Sequence, residues 1–429
     1  MAPSGPGRTA RSDIQQVAFQ RPPLAGTHVL ARRPLPLTVP AGPSPAAAMP
    51  LDGLRVVDLS SVFAGPHCAR YLADFGADVI KVERPGGDTV RNMGWKDAQG
   101  ETLWWRLVNR NKRCVTLDLK AAGDLALLRR LLAVADVLVE NFRPGKLEAL
   151  GLVPDELIAS NPKLVVVRLT GFGQDGPYRD RPGFATLAEA MSGFASMNGE
   201  ADGAPLLPPV ALTDEIAGLA GAFAAMVALR SGVGQVVDVN LLESMSQAMG
   251  PLMTAWHTEG YLQPRLGSGI PYSVPRGTYQ ASDGGWLAVS SSTDSVAARV
   301  MEMIGIGDDE RFTTFEGRMA HRAELDEAMA QWVSQRTLAE AVEAFENAQA
   351  AAAPVLDMSQ LADDPHAKAR DVFVEVDGIV QQNVIARLSA TPGQVRWTGR
   401  KEGADNDCLA DPDPDDPWPE ARPPRAQTR

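Results

Sequence analysis

The chain has 429 residues, 45% hydrophobic and 22% charged, an ordinary globular balance with length enough for two domains or one with a large insertion. A formal charge of −12 excludes a general nucleic-acid binder, since phosphates call for a basic surface, and no apolar run reaches the roughly 18 to 20 residues of a membrane helix. Three cysteines, Cys68, Cys114 and Cys408, match no disulfide framework or zinc spacing, so the expectation is a soluble protein in a reducing, cytoplasmic compartment, with neither nucleic acid nor membrane as partner.

Residues 1–48 carry five arginines against one acid, Asp13, and abound in Pro, Ala and Gly, with no apolar core of a secretory signal. They read as a disordered or mis-assigned extension, because Met49 stands immediately before the first ordered-looking segment. An organellar transit peptide is the competing reading. From residue 51 the pattern changes. Residues 54–59 (LRVVDL) suit a buried strand, a helix runs to Phe75 and stops at Gly76, and residues 77–83 (ADVIKVE) form a second strand. Strand, crossover and strand in so short a stretch make a parallel βαβ unit. Further strands are expected over 114–119, 136–140 and 164–169, and a helix over 124–134. The Ala- and Gly-rich stretch 216–229 reads as a buried helix.

The expected fold class is therefore α/β, a mostly parallel sheet with helices on both faces and ligands at the carboxyl ends of its strands. That places the loops after Leu59, Glu83, Glu140 and Thr170 at the site. After residue 250 the texture alters. A Gly-, Pro- and Ser-rich loop (263–277) leads to strands around Tyr279 and over 286–290, joined by an Asp283-Gly284-Gly285 turn. Helices follow over 295–304 and 322–348, together a smaller α+β domain. The Pro- and Asp-rich tail 410–429 is expected to be disordered.

Gly171-Phe172-Gly173-Gln174-Asp175-Gly176 is a literal GxGxxG after a strand. A dinucleotide fingerprint must open a helix whose N-terminus holds the pyrophosphate. Here Pro177 and Pro182 follow, and a helix cannot run through the second. The glycines are read instead as shaping a long active-site loop.

Several blocks resemble the family III CoA-transferases, the formyl-CoA:oxalate and carnitine CoA-transferase group of CaiB/BaiF type. They are LDGLRVVDLSSVFAGP (51–66), GADVIKVERPGGD (76–88), NRNKRCVTLDLK (109–120), ADVLVENFRPGKLEALGL (135–152), LTGFGQDGPYRDRPGF (169–184), PPVALTDEIAG (208–218) and GVGQVVDVNLLESM (232–245). The resemblance implies a Rossmann-like large domain, a small domain, and two chains interlocked as linked rings. It divides the chain into a first part of the large CoA-binding domain (49–255), the small domain (256–350) and a return to the large domain (351–409).

The family's nucleophile, the aspartate of the ALxD block, falls on Asp214. Read from the residues alone, Asp214 and Glu215 do no more than open a helix behind a Thr213 N-cap, where a carboxylate is favoured by the helix dipole. The resemblance makes Asp214 the group that attacks an acyl-CoA thioester, forming an acyl-aspartyl anhydride that an incoming carboxylic acid then exchanges. The helix N-terminus is expected to keep it ionised. Coenzyme A is here a substrate, and the reaction needs no metal or redox cofactor.

By the same resemblance Phe63 and Ala64 contact CoA, and Arg84 approaches its phosphates. Leu117, Asp118, Leu119 and Lys120 form a second edge, Asn141, Phe142 and Arg143 a third, and Arg181, Pro182, Gly183 and Phe184 a fourth. Taken singly, Arg84 and Lys120 read as solvated surface charges. The chain departs from the family at Ala149, where an arginine is common, and at Phe184, Ala185 and Glu189, where many relatives have Tyr-Asp and later Gln. Glu189 is either a second carboxylate at the site or a helix-surface acid. Two rival functions follow. An α-methylacyl-CoA racemase shares the fold, but that branch has a His-Asp pair where Phe184 and Ala185 stand, and racemisation needs two acid–base groups. A non-catalytic acyl-CoA-binding protein would fit the departures at Ala149 and beyond Asp411.

Overall fold

The computed structural model describes residues 49–291, 293–410, 413 and 416–420. The expectation for residues 1–48 lies outside them. Six short apolar runs pair side by side as strands β1 (Arg55–Asp58), β2 (Asp78–Glu83), β3 (Lys112–Thr116), β4 (Val137–Glu140), β5 (Val165–Thr170) and β6 (Gln235–Asn240). The sheet order is β3-β2-β1-β4-β5-β6, and every pair is parallel. The chain therefore reverses its direction of winding between β1 and β4, and the loops after these two strands diverge and leave a crevice.

Alternation along each strand feeds two cores. Val56, Val79, Val137 and Val165 face helix α1 (Ala64–Asp74) and its neighbours, whereas Val57, Ile80, Leu138 and Val166 face helix α2 (Ala122–Leu132) with Leu128, Leu131 and Leu132. Both faces are covered, so the strands read as continuous apolar runs. Helices α3 (Ala185–Met191), α4 (Leu212–Ser231) and α5 (Leu241–Ala248) complete the α1 side, and α6 (Leu252–Glu259) follows.

α4 corrects one expectation. It lies lengthwise on α1 through Ala217, Gly218, Gly221, Ala222, Ala225 and Ala228. The approach is so close that a Cβ on Gly218 would sit 2.6 Å from His67 Cβ. Its other side is not buried: Leu219, Phe223 and Val227 are exposed. Continuing from Leu212 to Ser231 at a mean hydropathy of 1.5, it also has the length and composition of a membrane-crossing helix, which the shorter run read from sequence did not.

A separate antiparallel sheet, β7 (Arg276–Gln280), β8 (Trp286–Ser290) and β9 (Ala352–Pro354), packs Leu287 and Val289 with Val300, Met329, Val333 and Phe345. The helix expected over 322–348 is two helices, Arg322–Ser334 and Leu338–Asn347, because Thr337 caps the second with a Glu340 capping box. A hairpin follows, β10 (Phe373–Val376) with β11 (Ile379–Gln382). The chain then runs along the outer edge of β3, where Asn111 N–H donates to Trp397 O at 3.0 Å and Cys114 N–H to Asp405 Oδ2 at 2.8 Å. Of the tail expected to be disordered, residues 410, 413 and 416–420 are described, and 416–418 are held in place. Trp418 is buried, its indole N–H donates to Asp78 Oδ2 at 2.9 Å, and Asp416 takes both arms of the Arg55 guanidinium at 3.0 and 2.6 Å.

Candidate active site

The crevice begins with the loop after β1, held from below by buried charge. Asp58 accepts from Lys112 Nζ at 2.8 Å, and Lys112 also donates to Pro66 O at 2.8 Å and Asn109 Oδ1 at 3.1 Å. Lys81 lies 3.8 Å from Asp58 and 3.5 Å from Asp88 and donates to Ser60 O. Burial opposes the Asp58 charge, but the two lysines outweigh it and hold its carboxyl below the usual range. Burial pushes the Lys112 ammonium down to about 8.

Above this base the backbone is strained. Val62, a β-branched residue, has φ 66°, and its N–H donates to both Asp88 carboxylate oxygens at 3.2 and 3.3 Å. Gly65 is required where it stands, since a Cβ there would meet Ser60 Cβ at 2.2 Å. Asn141, after β4, closes the crevice from the other side. Its Oδ1 accepts from Ser61 N–H at 2.8 Å and its Nδ2 donates to Ser61 O at 2.7 Å. The Asn141 amide is thus occupied in joining two loops. Asp88 was not among the expected site residues, although it ends the second of the blocks that carry the resemblance.

A cavity of about 660 Å³ opens between these loops. Of the expected residues it is lined by Phe63, Ala64, Asn141, Phe142, Arg143, Arg181, Gly183, Phe184 and Asp214. A second pocket of about 380 Å³ is lined by Arg84, Leu117, Asp118, Leu119 and Lys120, and shares Ser61, Thr89 and Phe142 with the first. Pro182 lines neither. Arg84 and Lys120 are exposed, and Asp118 is taken up locally, accepting from Lys120 N–H at 3.0 Å. Met93, Arg179, Leu207, Val210 and Leu241 also line the larger cavity. Arg179, Val210 and Leu241 lie in blocks that carry the resemblance but are not singled out there, and Met93 and Leu207 lie outside those blocks.

The loop after β5 has no helix until Ala185, so the GxGxxG run opens none. Gly171 and Gly183 instead let two chain segments cross, since a Cβ on Gly171 would lie 2.5 Å from Gly183 Cα. That crossing sets Arg181 and Phe184 at the cavity rim. Phe184 and Ala185 line the cavity, and no histidine does among the described residues.

Asp214 sits in the first turn of α4, partly open to the cavity. The N-cap is Ala211, and Thr213 does not cap. Its buried hydroxyl turns away and donates to Glu189 Oε1 of α3 at 3.0 Å. Glu189 is 3% exposed and lines the same cavity, so it is no helix-surface acid. Glu215 is bound on its far side by Arg70 at 2.7 Å, by His67 Nδ1 at 2.8 Å and by the Tyr71 hydroxyl. Burial works against its charge, but these contacts outweigh it and hold the carboxyl down at about 2. For Asp214 nothing offsets burial. Burial, then the charges of Glu189 and Glu215, push its carboxyl up to about 7, so the helix dipole does not keep it fully ionised near neutrality as expected.

Comparison with known proteins follows the same line. The family model of CoA-transferase family III matches residues 51–406. A succinyl-CoA–D-citramalate CoA-transferase from Chloroflexus aurantiacus is 39% identical over 370 residues, 83% of this chain and 92% of that protein. A succinate–glutarate CoA-transferase from Agrobacterium fabrum is 36% identical over 342 residues, 76% of this chain and 85% of that one. The crystal structure of a CaiB/BaiF family protein from Brucella suis superposes with a TM-score of 0.75 at 33% identity, covering 83% of this chain and 97% of that chain. With a doubly wound sheet, a two-pocket crevice at its switch point and this match over most of its length, the chain is an enzyme that belongs to CoA-transferase family III.

Proposed function

We propose that the enzyme transfers coenzyme A from an acyl-CoA thioester to a free carboxylic acid through an acyl anhydride on Asp214. The observation that carries this is the position of Asp214, a carboxylate without a cationic partner among the described residues, in a cavity that adjoins a second pocket edged by Arg84 and Lys120. The nucleotide end of CoA lies in the smaller pocket, and its pantetheine arm passes Ser61 and Phe142 towards Asp214. An Asp214 oxygen bonds to the acyl carbon as the carbon–sulfur bond breaks, and the electron pair leaves with sulfur as thiolate. The thiolate then attacks the Asp214 carbonyl carbon of the anhydride, expelling the donor's carboxylate and leaving a CoA thioester on Asp214. The entering carboxylate attacks that thioester, forming a second anhydride and freeing the thiolate. The thiolate bonds to the entering acid's acyl carbon as the bond to Asp214 breaks.

The relatives named above act on succinyl, citramalate and glutarate groups, all with a second carboxylate. Arg143, Arg179 and Arg181 line the Asp214 cavity, so small dicarboxylic acids are the substrates this reading favours. The test is assay of purified enzyme with succinyl-CoA and a panel of acids, combined with hydroxylamine trapping at Asp214. Asp214→Asn should abolish transfer and trapping while CoA still binds. Undiminished turnover in that variant would refute the mechanism.

The same reading includes a dimer of interlocked chains. It is supported by the exposed apolar side chains Leu219, Phe223 and Val227 of α4 and Met253 and Trp256 of α6, which contact with a second chain would bury. A cytoplasmic location, without metal or redox cofactor, completes the proposal; the three unpaired thiols suit a reducing compartment.

A further inference from the structure

Glu189 stands where the mechanism above gives it no work. Its carboxylate is buried in the cavity wall, and its single direct hydrogen bond among the described residues comes from Thr213 Oγ1 at 3.0 Å. Thr213 precedes the nucleophile in the same helical turn, so this bond ties the acid of α3 to the backbone that carries Asp214. An unpaired buried carboxylate is costly, and a fold keeps one where the cost has a use.

The other charges around α4 are committed elsewhere. Glu215, beside Asp214, is bound by His67, Arg70 and Tyr71 of α1. Arg168 of β5 pairs with Glu140 at 2.6 Å and Glu148 at 2.8 Å. Asp238 of β6 accepts from the Gln174 N–H at 2.8 Å, and Glu243 of α5 lies in the turn capped by Asn240. Arg143, Arg179 and Arg181 line the cavity, but no ion pair joins them to either acid among the described residues. Asp214 and Glu189 therefore line one cavity, linked through Thr213, and Glu189 acts on Asp214 as a like charge with no ion pair to either acid among the described residues.

We propose that Glu189 is a positioning residue that drives acylation: held by Thr213, it sets a like charge beside Asp214, and forming the anhydride relieves the repulsion because Asp214 gives up its charge. The step balances without a proton. One Asp214 oxygen–carbon bond forms, one carbon–sulfur bond breaks, and the negative charge moves from the buried pair to the departing thiolate. The repulsion adds to burial in raising the basicity of Asp214, and a more basic carboxylate is the better nucleophile. This inference rests on Asp214 being the nucleophile.

Three variants of the full-length enzyme test it. Glu189→Gln keeps the shape and the Thr213 bond and removes the charge. It is expected to lower the midpoint of the pH profile of kcat/KM by about one unit and to reduce several-fold the fraction of enzyme trapped as the Asp214 hydroxamate at saturating acyl-CoA. Thr213→Val, which cuts the tether and leaves the charge, is expected to move both readouts the same way by a smaller amount. It also serves if Glu189→Gln fails to fold. An unchanged pH midpoint in a folded variant overturns the inference, since a merely structural Glu189 would alter activity without moving the midpoint. Full turnover in Asp214→Asn would instead overturn the mechanism beneath it, so the two failures are distinguishable.

Discussion

Asp58 and Asp214 are two carboxylates of one sheet domain, and burial alone would predict the wrong order for them. Asp58 is fully buried under the loop after β1, yet its carboxyl is held below the usual range, because Lys112 and Lys81 outweigh the desolvation. Asp214 is more open, yet its carboxyl is raised to about 7, because no cation among the described residues opposes the effect of its burial and its charged neighbours, Glu189 and Glu215, are acids that add to it. The sign of the partner decides, not the depth. One region uses charge to brace a loop whose Val62 is strained. The other leaves charge without a cationic partner, among the described residues, at the place proposed for the reaction.

Removing each partner should sharpen that contrast. The largest effect is on chemistry: Asp214→Asn should cost at least about 10³-fold in kcat/KM, read by steady-state assay, because it removes the carboxylate proposed to take the acyl group. In the brace, Lys112→Met should destabilise by about 3 to 5 kcal/mol in denaturant unfolding, since it leaves Asp58 buried beside one more distant lysine. A small effect there would mean that the lysines do not hold the loop.

pH should pull the two regions in opposite directions. Asp58 has a lowered native pKa, so its contribution to stability is present at neutral pH and is lost as pH falls through the acid range. Asp214 has a raised native pKa, so its charge costs stability above about pH 7, and that cost disappears as pH falls towards 3.8. Asp214→Asn should therefore be more stable than the native chain at pH 8, by on the order of 3 kcal/mol, with the difference gone near pH 4. Unfolding curves at the two pH values check this. In the native enzyme kcat/KM should rise about tenfold between pH 6 and pH 8, following the ionised fraction of Asp214. The smallest change lies furthest from the crevice. Trp418→Ala should cost about 2 kcal/mol in stability and leave the pH profile in place, because it empties a site at the opposite edge of the sheet.

Much of this was legible beforehand. The five strands expected in the first 170 residues are all present, four to within a residue and the one expected over 114–119 shifted by two to three residues to Lys112–Thr116, because a buried parallel strand is written as a short apolar run and a helix stop as a glycine. β6 went unread as a strand: it forms one edge of the sheet, and most of QVVDVN is exposed or half-buried, so its pattern is weak. β9, β10 and β11 are only three or four residues each and are paired by partners elsewhere in the chain. The tail composition of Asp and Pro signalled disorder, but Trp418 found a buried place by reaching back to Asp78.

By itself the sequence determined the α/β alternation, the loops that meet at the switch point, and Asp214 as the carboxylate of a recognisable block. The first two are local properties, set by side-chain period and turn residues within a few tens of positions, whereas Asp214 is singled out only by the resemblance of its block to a family. Only the tertiary structure decided what those residues do for one another. It set Thr213 on Glu189 across 24 positions and Lys112 on Asp58 across 54, and it exposed one side of α4 while burying the other. Electrostatic environment is a sum over neighbours in space, and neighbours in space are chosen by the packing of whole elements, which no local pattern records.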